Sequence, residues 1–471
     1  MHYGPDFSFR FRLQDDSCAP GSREYDTWAG LLTIALSSNT VRASYSVDKF
    51  LAMPLFAAII PTFFPLKHPR EGITVGYYLN GVSIIFSTSL GALLHWTAAT
   101  DFTSADFSFR EKLAMCVVAV VINVPGTLLI YSCWEFPVPF SFVILSPLFF
   151  FNLSFALVVV VRRRLWTHPV FKRSLDLYGA CMNLQVAQII IYPAISVLYD
   201  KVGNTQRILL TTFFPIIKYG LKRLIKRAGK RLGEYQTVVA VSGVEICASL
   251  YQSMIMQTVP STVAIGIIMG LDVVQGMLAI KFFADRHVDP SVPRDKIFDE
   301  AESVLTTKPV APDATTAKKY QSDKQLRVRH RIVTHALQLA NTAESILLVE
   351  YYEVIVPIVN GLFLLVAAQF HSARYNSRIA PFYHDRDQLA SSLFSLTLYS
   401  LLQGLSCVAM HFVMKYRYGV SAIAHLSFVL ERYHQSILGM MLAWLPVILH
   451  FTLMHYGSDF TFRFHFQDDY W

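Results

Sequence analysis

Two carboxylates lie deep inside long uncharged stretches, where an ionisable side chain is costly. Glu245 lies in AVSGVEICASLYQS and Asp272 in GIIMGLDVVQGM. The turn 257–262 separates them, so an antiparallel helix pair would bring the two carboxylates to within about 3 Å of the same depth. Because two ionised carboxylates at one depth repel each other, at least one is expected to hold a proton or share a cation. The pair therefore predicts proton or cation movement.

The same two side chains also have a structural interpretation. Each could be protonated and hydrogen-bonded to Gln252, Gln275 or a backbone carbonyl, because no Lys or Arg in the neighbouring spans is an obvious counter-ion. Gly266 and Gly270 form a GxxxG pattern, which predicts close helix packing. A water-accessible cavity at either carboxylate would favour transport, and dry hydrogen bonds would favour the structural role.

A second, weaker pair of carboxylates is Glu350 and Glu353, in LLVEYYEVIVP. Their spacing of three places them on one face of a helix. The alternative is a wet membrane interface, because the adjacent Tyr351 and Tyr352 are typical interface anchors.

The elements that position these residues are predicted by the composition. Of 471 residues, 53% are hydrophobic and 16% charged, and the mean hydropathy is +0.40. The charged residues are clustered between long apolar stretches, as expected when lipid is the solvent. The sequence predicts an all-α, polytopic integral membrane protein in contact with the lipid bilayer. It has about ten spans with short connections, at 50–66, 75–96, 113–131, 139–161, 177–199, 238–256, 263–283, 346–370, 389–414 and 437–454.

The predicted organisation comprises seven segments. These are an N-terminal segment 1–49, a five-span bundle 50–199, a short crossing and basic helix 200–237, the carboxylate hairpin 238–283, a polar loop 284–345, a three-span bundle 346–454 and a tail 455–471. The loop is expected to be largely disordered and cytoplasmic, because its Pro, Thr, Asp and Lys content cannot build a core. From Gln325 onward an amphipathic helix could lead into the next span.

Residues 218–236, KYGLKRLIKRAGKRLGEYQ, predict a basic helix lying on the membrane surface. The positive-inside rule places basic connections on the cytoplasmic side of the membrane. Residues 218–236 satisfy this rule only if 207–220 makes a short crossing that continues into this helix. Anionic headgroups are the expected partner of its cations. These cations are Lys218, Lys222, Arg223, Lys226, Arg227, Lys230 and Arg231. A solvated linker helix is the alternative, and nucleic-acid binding is disfavoured because no aromatic residues alternate with the cations.

A motif is repeated at the two ends of the chain. Residues 1–16 and 454–469 are identical at twelve of sixteen positions, and DFSFR at 106–110 is a shorter copy. Alternating Phe and polar residues predict an extended membrane-exit element. The first copy lacks a preceding helix, so we interpret it as a remnant of a tandem gene. Pairing of the two ends as strands is the alternative.

No catalytic, metal or cofactor motif is recognisable, and the six cysteines have no metal-ligand spacing. Asp385-Arg386-Asp387 resembles a DxD motif only in spelling, so a solvated turn is preferred. The sequence thus predicts a non-enzymatic membrane protein with no cofactor and no metal. It is either a proton- or cation-linked transporter or channel, or a non-transporting scaffold or receptor-like protein. The membrane, the solute and the oligomeric state are left open.

Overall fold

The computed structural model of the chain is helical throughout the part that it describes. That part comprises residues 52–67, 71–100, 107–134, 141–161, 169–232, 235–258, 262–285, 296–297, 300–301, 303, 316–376, 379–419 and 421–450. The helices are α1 (Ala52–Phe63), α2 (Val75–Ala99), α3 (Phe109–Cys133), α4 (Ser141–Val161), α5 (Pro169–Val186), α6 (Gln188–Lys201), α7 (Asn204–Ala228), α8 (Tyr235–Thr258), α9 (Thr262–Ala284), α10 (Thr316–Ala367), α11 (Ala380–His384), α12 (Arg386–Tyr418), α13 (Ala422–Arg432) and α14 (His434–Leu449). The described residues form no strand, which confirms the all-α prediction for this part of the chain.

Capping residues mark the ends of helices α3 and α12. Ser108 Oγ accepts a hydrogen bond from the backbone N–H of Glu111, whose carboxylate accepts one from the Ser108 N–H at 2.8 Å. This capping box starts α3 by satisfying donors that the helix leaves free. The Asp385 carboxylate caps α12 by accepting hydrogen bonds from the backbone N–H groups of Asp387 and Gln388. Gly419 ends α12 in the left-handed conformation, with a φ of 72°.

Helix α8 lies at the centre of the bundle. It packs against α7, α10, α12 and α14, and its apolar stretch is buried throughout. Helices α2 and α14 pack closely, because glycines allow their backbones to touch. A Cβ atom at Gly439 would lie 2.6 Å from the backbone N of His95 and 2.7 Å from the carbonyl O of Gly91.

Six of the described helical stretches are long and apolar enough to cross a membrane. They are Val75–Ala99, Phe109–Cys133, Ile144–Val161, Tyr235–Gln257, Arg331–Ala367 and Arg386–Tyr418. Two further apolar helices, α1 and α14, are shorter. The predicted span 177–199 is not one helix, because α5 ends at Val186 and α6 begins at Gln188. The structure therefore supports a multi-pass membrane protein and does not confirm ten spans.

The predicted disordered loop is not confirmed either. Residues 316–345 are the first part of α10, a continuous helix of 52 residues that contains the predicted span 346–370. The expected helix from Gln325 is part of α10. Residues 286–295 and 304–315 lie outside the described residues.

The repeated motif is described only at its short copy. Phe107 and Ser108 precede α3, and Phe109 begins it. The predicted extended conformation therefore does not continue through this copy, because Ser108 caps a helix that begins at Phe109. Its position at a membrane exit stays a prediction. The copies at 1–16 and 454–469 lie outside the described residues.

Candidate functional site

The predicted carboxylates meet two lysines in the interior of the bundle. Lys218 and Lys222 come from α7, Glu245 from the central helix α8 and Glu353 from α10. The Lys218 ammonium lies 2.8 Å from Glu245 Oε2 and 2.7 Å from Glu353 Oε1. Lys222 lies 2.5 Å from Glu245 Oε1. We call these four residues the ion network.

The ion network is buried to different degrees along its length. The Glu245 side chain is 0% exposed, that of Lys218 6%, that of Glu353 12% and that of Lys222 23%. A buried carboxylate that kept its charge without a partner would cost several kcal/mol, so the two lysines compensate Glu245. Lys222 is the member through which the network comes nearest to the surface.

The sequence-based expectation that Glu245 has no nearby counter-ion is therefore wrong. Lys218 and Lys222 are four residues apart and lie on one face of α7, together with the buried Leu221 and Ile225. Leu224, between the two buried residues Leu221 and Ile225 in sequence, is 48% exposed and lies on a different face. The face of α7 that meets α8 thus contains both lysines.

The other predicted headgroup-contacting cations lie in different environments. Arg223, Arg227 and Lys230 are exposed. Lys226 is partly buried and donates to Ser345 Oγ at 3.3 Å. The Arg231 side chain lies outside the described part.

Asp272 has its own set of hydrogen-bond donors. Gln252 of α8 and Tyr399 of α12 both donate to its Oδ2, the latter at 2.8 Å, and Gln275 donates to Oδ1 at 3.3 Å. The residue is 7% exposed. The sequence identified both glutamines as possible partners, and Tyr399 was missed.

A small cavity joins Asp272 to the ion network. Its volume is about 20 Å³, and its polar lining consists of Tyr199, Lys218, Gln252, Asp272 and Gln275. A site of this size and polarity holds about one water molecule.

The predicted tight packing through GxxxG is not formed by Gly266 and Gly270. Both glycines are exposed, with open space where a Cβ would lie. Helix α9 packs mainly against α12, with further contacts to α10 and α7. Gly243 of α8, by contrast, is in close contact with Gln185 and Met440.

Glu350 lies in the interior, not at a wet interface. It is 2% exposed, accepts a hydrogen bond from Ser406 Oγ at 3.0 Å and has a second oxygen without a hydrogen-bond partner. Tyr351 and Tyr352 are buried as well, and the Tyr352 hydroxyl donates to Ser242 Oγ at 2.8 Å. The interpretation of these tyrosines as interface anchors is wrong.

The described residues contain no group of three or more His, Cys, Asp and Glu side chains that could hold a metal ion. Comparison of the chain with protein-family models, with curated proteins and with solved structures finds no match. The function must therefore be argued from the site, whose chemistry is that of groups able to accept, hold and release protons.

Proposed function

We propose that this multi-pass membrane protein moves protons, alone or coupled to a solute, through the ion network and Asp272. The observation that carries the proposal is the cavity shared by Lys218 and Asp272, which is large enough for one water molecule. A water molecule between an ammonium and a carboxylate can relay a proton between them. The site therefore has the groups required for a short proton path.

Charge counting supports the same proposal. The ion network, Asp272 and Glu350 together contain two lysines and four carboxylates, so full ionisation would leave an excess of two negative charges inside the bundle. Such an excess is compensated most readily by protons or by a bound cation. A cavity of about 20 Å³ has no room for a hydrated cation, which favours protons.

The order of burial gives the path a direction. Lys222 is the most exposed member of the network, Glu245 the most buried, and Lys218 connects Glu245 with the cavity at Asp272. We infer that protons exchange with the aqueous side near Lys222 and reach Asp272 through Glu245 and Lys218.

A second candidate is a non-transporting scaffold. Asp272 accepts hydrogen bonds from Gln252, Gln275 and Tyr399, which links α8, α9 and α12. In that case Asp272→Asn would be nearly silent, and Asp272→Leu would destabilise the bundle by about 1–2 kcal/mol for each interhelical bond lost, at most.

The deciding experiment uses purified protein in liposomes that contain a pH-sensitive dye, with an imposed pH gradient and a potassium diffusion potential. Wild type is expected to conduct protons, and Asp272→Asn and Glu245→Gln are expected to abolish conduction while the helical circular dichroism is retained. Asp387→Asn is the matched control, because Asp387 is exposed in the first turn of α12. Wild-type vesicles no leakier than empty ones, for protons and for a range of cations, would rule out transport and favour the scaffold.

We also propose that the outward cations of α7 contact anionic lipid headgroups. Arg223 and Arg227 are exposed on the helix that supplies Lys218 and Lys222, and Lys230 is exposed two residues beyond the end of that helix. Each such cation near a membrane surface stabilises binding by about 1 kcal/mol.

A further inference from the structure

A second and much larger cavity lies away from the ion network. This cavity is partly open and is lined by α2, α3 and α4 on one side and by α5, α6 and α14 on the other, and its volume is about 160 Å³. No Asp, Glu, Lys, Arg or His is among the described residues that line it. A charged ligand would therefore lose its hydration without gaining an ionic partner, so the cavity selects for an uncharged molecule.

The size and lining of the cavity indicate that its ligand has an apolar body. A cavity of about 150 Å³ lined by aliphatic and aromatic side chains accommodates a benzene ring. Here Tyr77, Tyr131, Phe149, Phe150 and Trp444 supply aromatic surface, and most of the remaining lining is aliphatic. A single ring with a short substituent fits this volume.

Two polar atoms in the lining have no hydrogen-bond partner. Gln185 is 0% exposed, and its Nε2 donates to the carbonyl O of Val239 at 3.0 Å. This bond fixes the orientation of the amide, because exchanging the two ends would bring two acceptors together. Gln185 Oε1 is left as a buried acceptor without a donor, and Thr88 Oγ1, also in the lining, is buried without a partner.

A buried amide oxygen without a donor costs free energy that a ligand hydroxyl could recover. We propose that this cavity binds a small uncharged molecule with a ring-sized apolar body and one hydroxyl group, which donates to Gln185 Oε1. Thr88 Oγ1 is a second contact for the same hydroxyl or for another polar atom of the ligand. The inference is independent of the proposed proton path, because no member of the ion network lines this cavity.

The test compares two probes of nearly the same shape, 4-fluorophenol and 4-fluorotoluene, which differ in a hydroxyl and a methyl group. Binding to the full-length protein in nanodiscs is followed by fluorine NMR, with empty nanodiscs as background. We expect 4-fluorophenol to bind about fivefold more tightly, as one neutral hydrogen bond predicts. The variant Gln185→Met should remove that preference and leave 4-fluorotoluene binding unchanged.

A substitution that fills the cavity tests whether the two probes bind there. Gly81 lines the cavity and has open space where a Cβ would lie, so Gly81→Leu should occupy the cavity and weaken both probes at least tenfold. Gly404→Leu is the matched control, because Gly404 is a helical glycine with the same open space but does not line the cavity. This control should leave binding unchanged.

Three results would overturn the proposal. Equal wild-type affinity for the two probes would remove the role of Gln185 Oε1, and full binding by Gly81→Leu would place the probes elsewhere. A phospholipid that copurifies with wild type but not with Gly81→Leu, together with no probe binding, would assign the cavity to an acyl chain. If Gly81→Leu does not assemble, the wild-type preference and its loss in Gln185→Met still decide the question.

Discussion

Replacement of Lys218 by methionine tests whether its ammonium compensates two buried carboxylates. The substitution keeps most of the apolar stem and removes the charge that lies 2.8 Å from Glu245 and 2.7 Å from Glu353. Loss of one partner from a buried ion pair costs about 3–5 kcal/mol. Glu245 retains Lys222, and the Glu353 side chain is 12% exposed. We therefore expect a loss near the lower end of that range, about 3 kcal/mol.

The assay is reversible unfolding by SDS in mixed micelles, followed by tryptophan fluorescence. Lys222→Met should cost less than Lys218→Met, about 1 kcal/mol, because its side chain is 23% exposed and Glu245 keeps Lys218. The double variant Lys218→Met/Glu353→Gln should be more stable than Lys218→Met alone, because an amide needs no counter-ion. A loss below about 1 kcal/mol for Lys218→Met, or strict additivity with Glu353→Gln, would refute the reasoning.

Three further predictions concern packing, capping and lipid. Gly439→Leu should prevent folding or cost at least about 3 kcal/mol, because a Cβ there would lie 2.6 Å from the backbone N of His95; recovery of folded, detergent-stable protein would contradict this. Ser108→Ala should lower the free energy of unfolding by about 1 kcal/mol through loss of the α3 cap, whereas Ser108→Asp should retain it in the same SDS titration. Arg223→Glu/Arg227→Glu should weaken association with anionic nanodisc lipids, measured by native mass spectrometry; unchanged lipid retention would exclude a headgroup contact.

The helical membrane class was predictable because it depends on composition summed over the whole chain. The burial of Glu245 and Asp272 was predictable as well, because each lies in a long uncharged stretch, and both are buried. Their partners were harder to identify. Hydropathy assigns a lysine to water by its type alone, so the sequence predicts surface charges at Lys218 and Lys222.

The neighbours of a helix decide which of its faces is buried, and a single sequence does not contain that information. Gly266 and Gly270 form a GxxxG pattern but face open space, whereas Gly91 and Gly439 belong to no GxxxG pattern and bring two helices into backbone contact. The signal that could have identified the lysines was electrostatic. Buried carboxylates require cations, and the basic segment 218–231, which contains both lysines, is the nearest cluster of cations in sequence to Glu245.

The length of α10 has a mechanical consequence. At 1.5 Å per residue its 52 residues extend for about 78 Å, more than twice the roughly 30 Å of a hydrocarbon core. Glu353 lies about 56 Å along the helix from Thr316, and between them α10 packs against α9 and α12 through Ala336, Leu339 and Leu347. A sideways force on the first turns of α10 is therefore resisted at these contacts before it reaches the ion network.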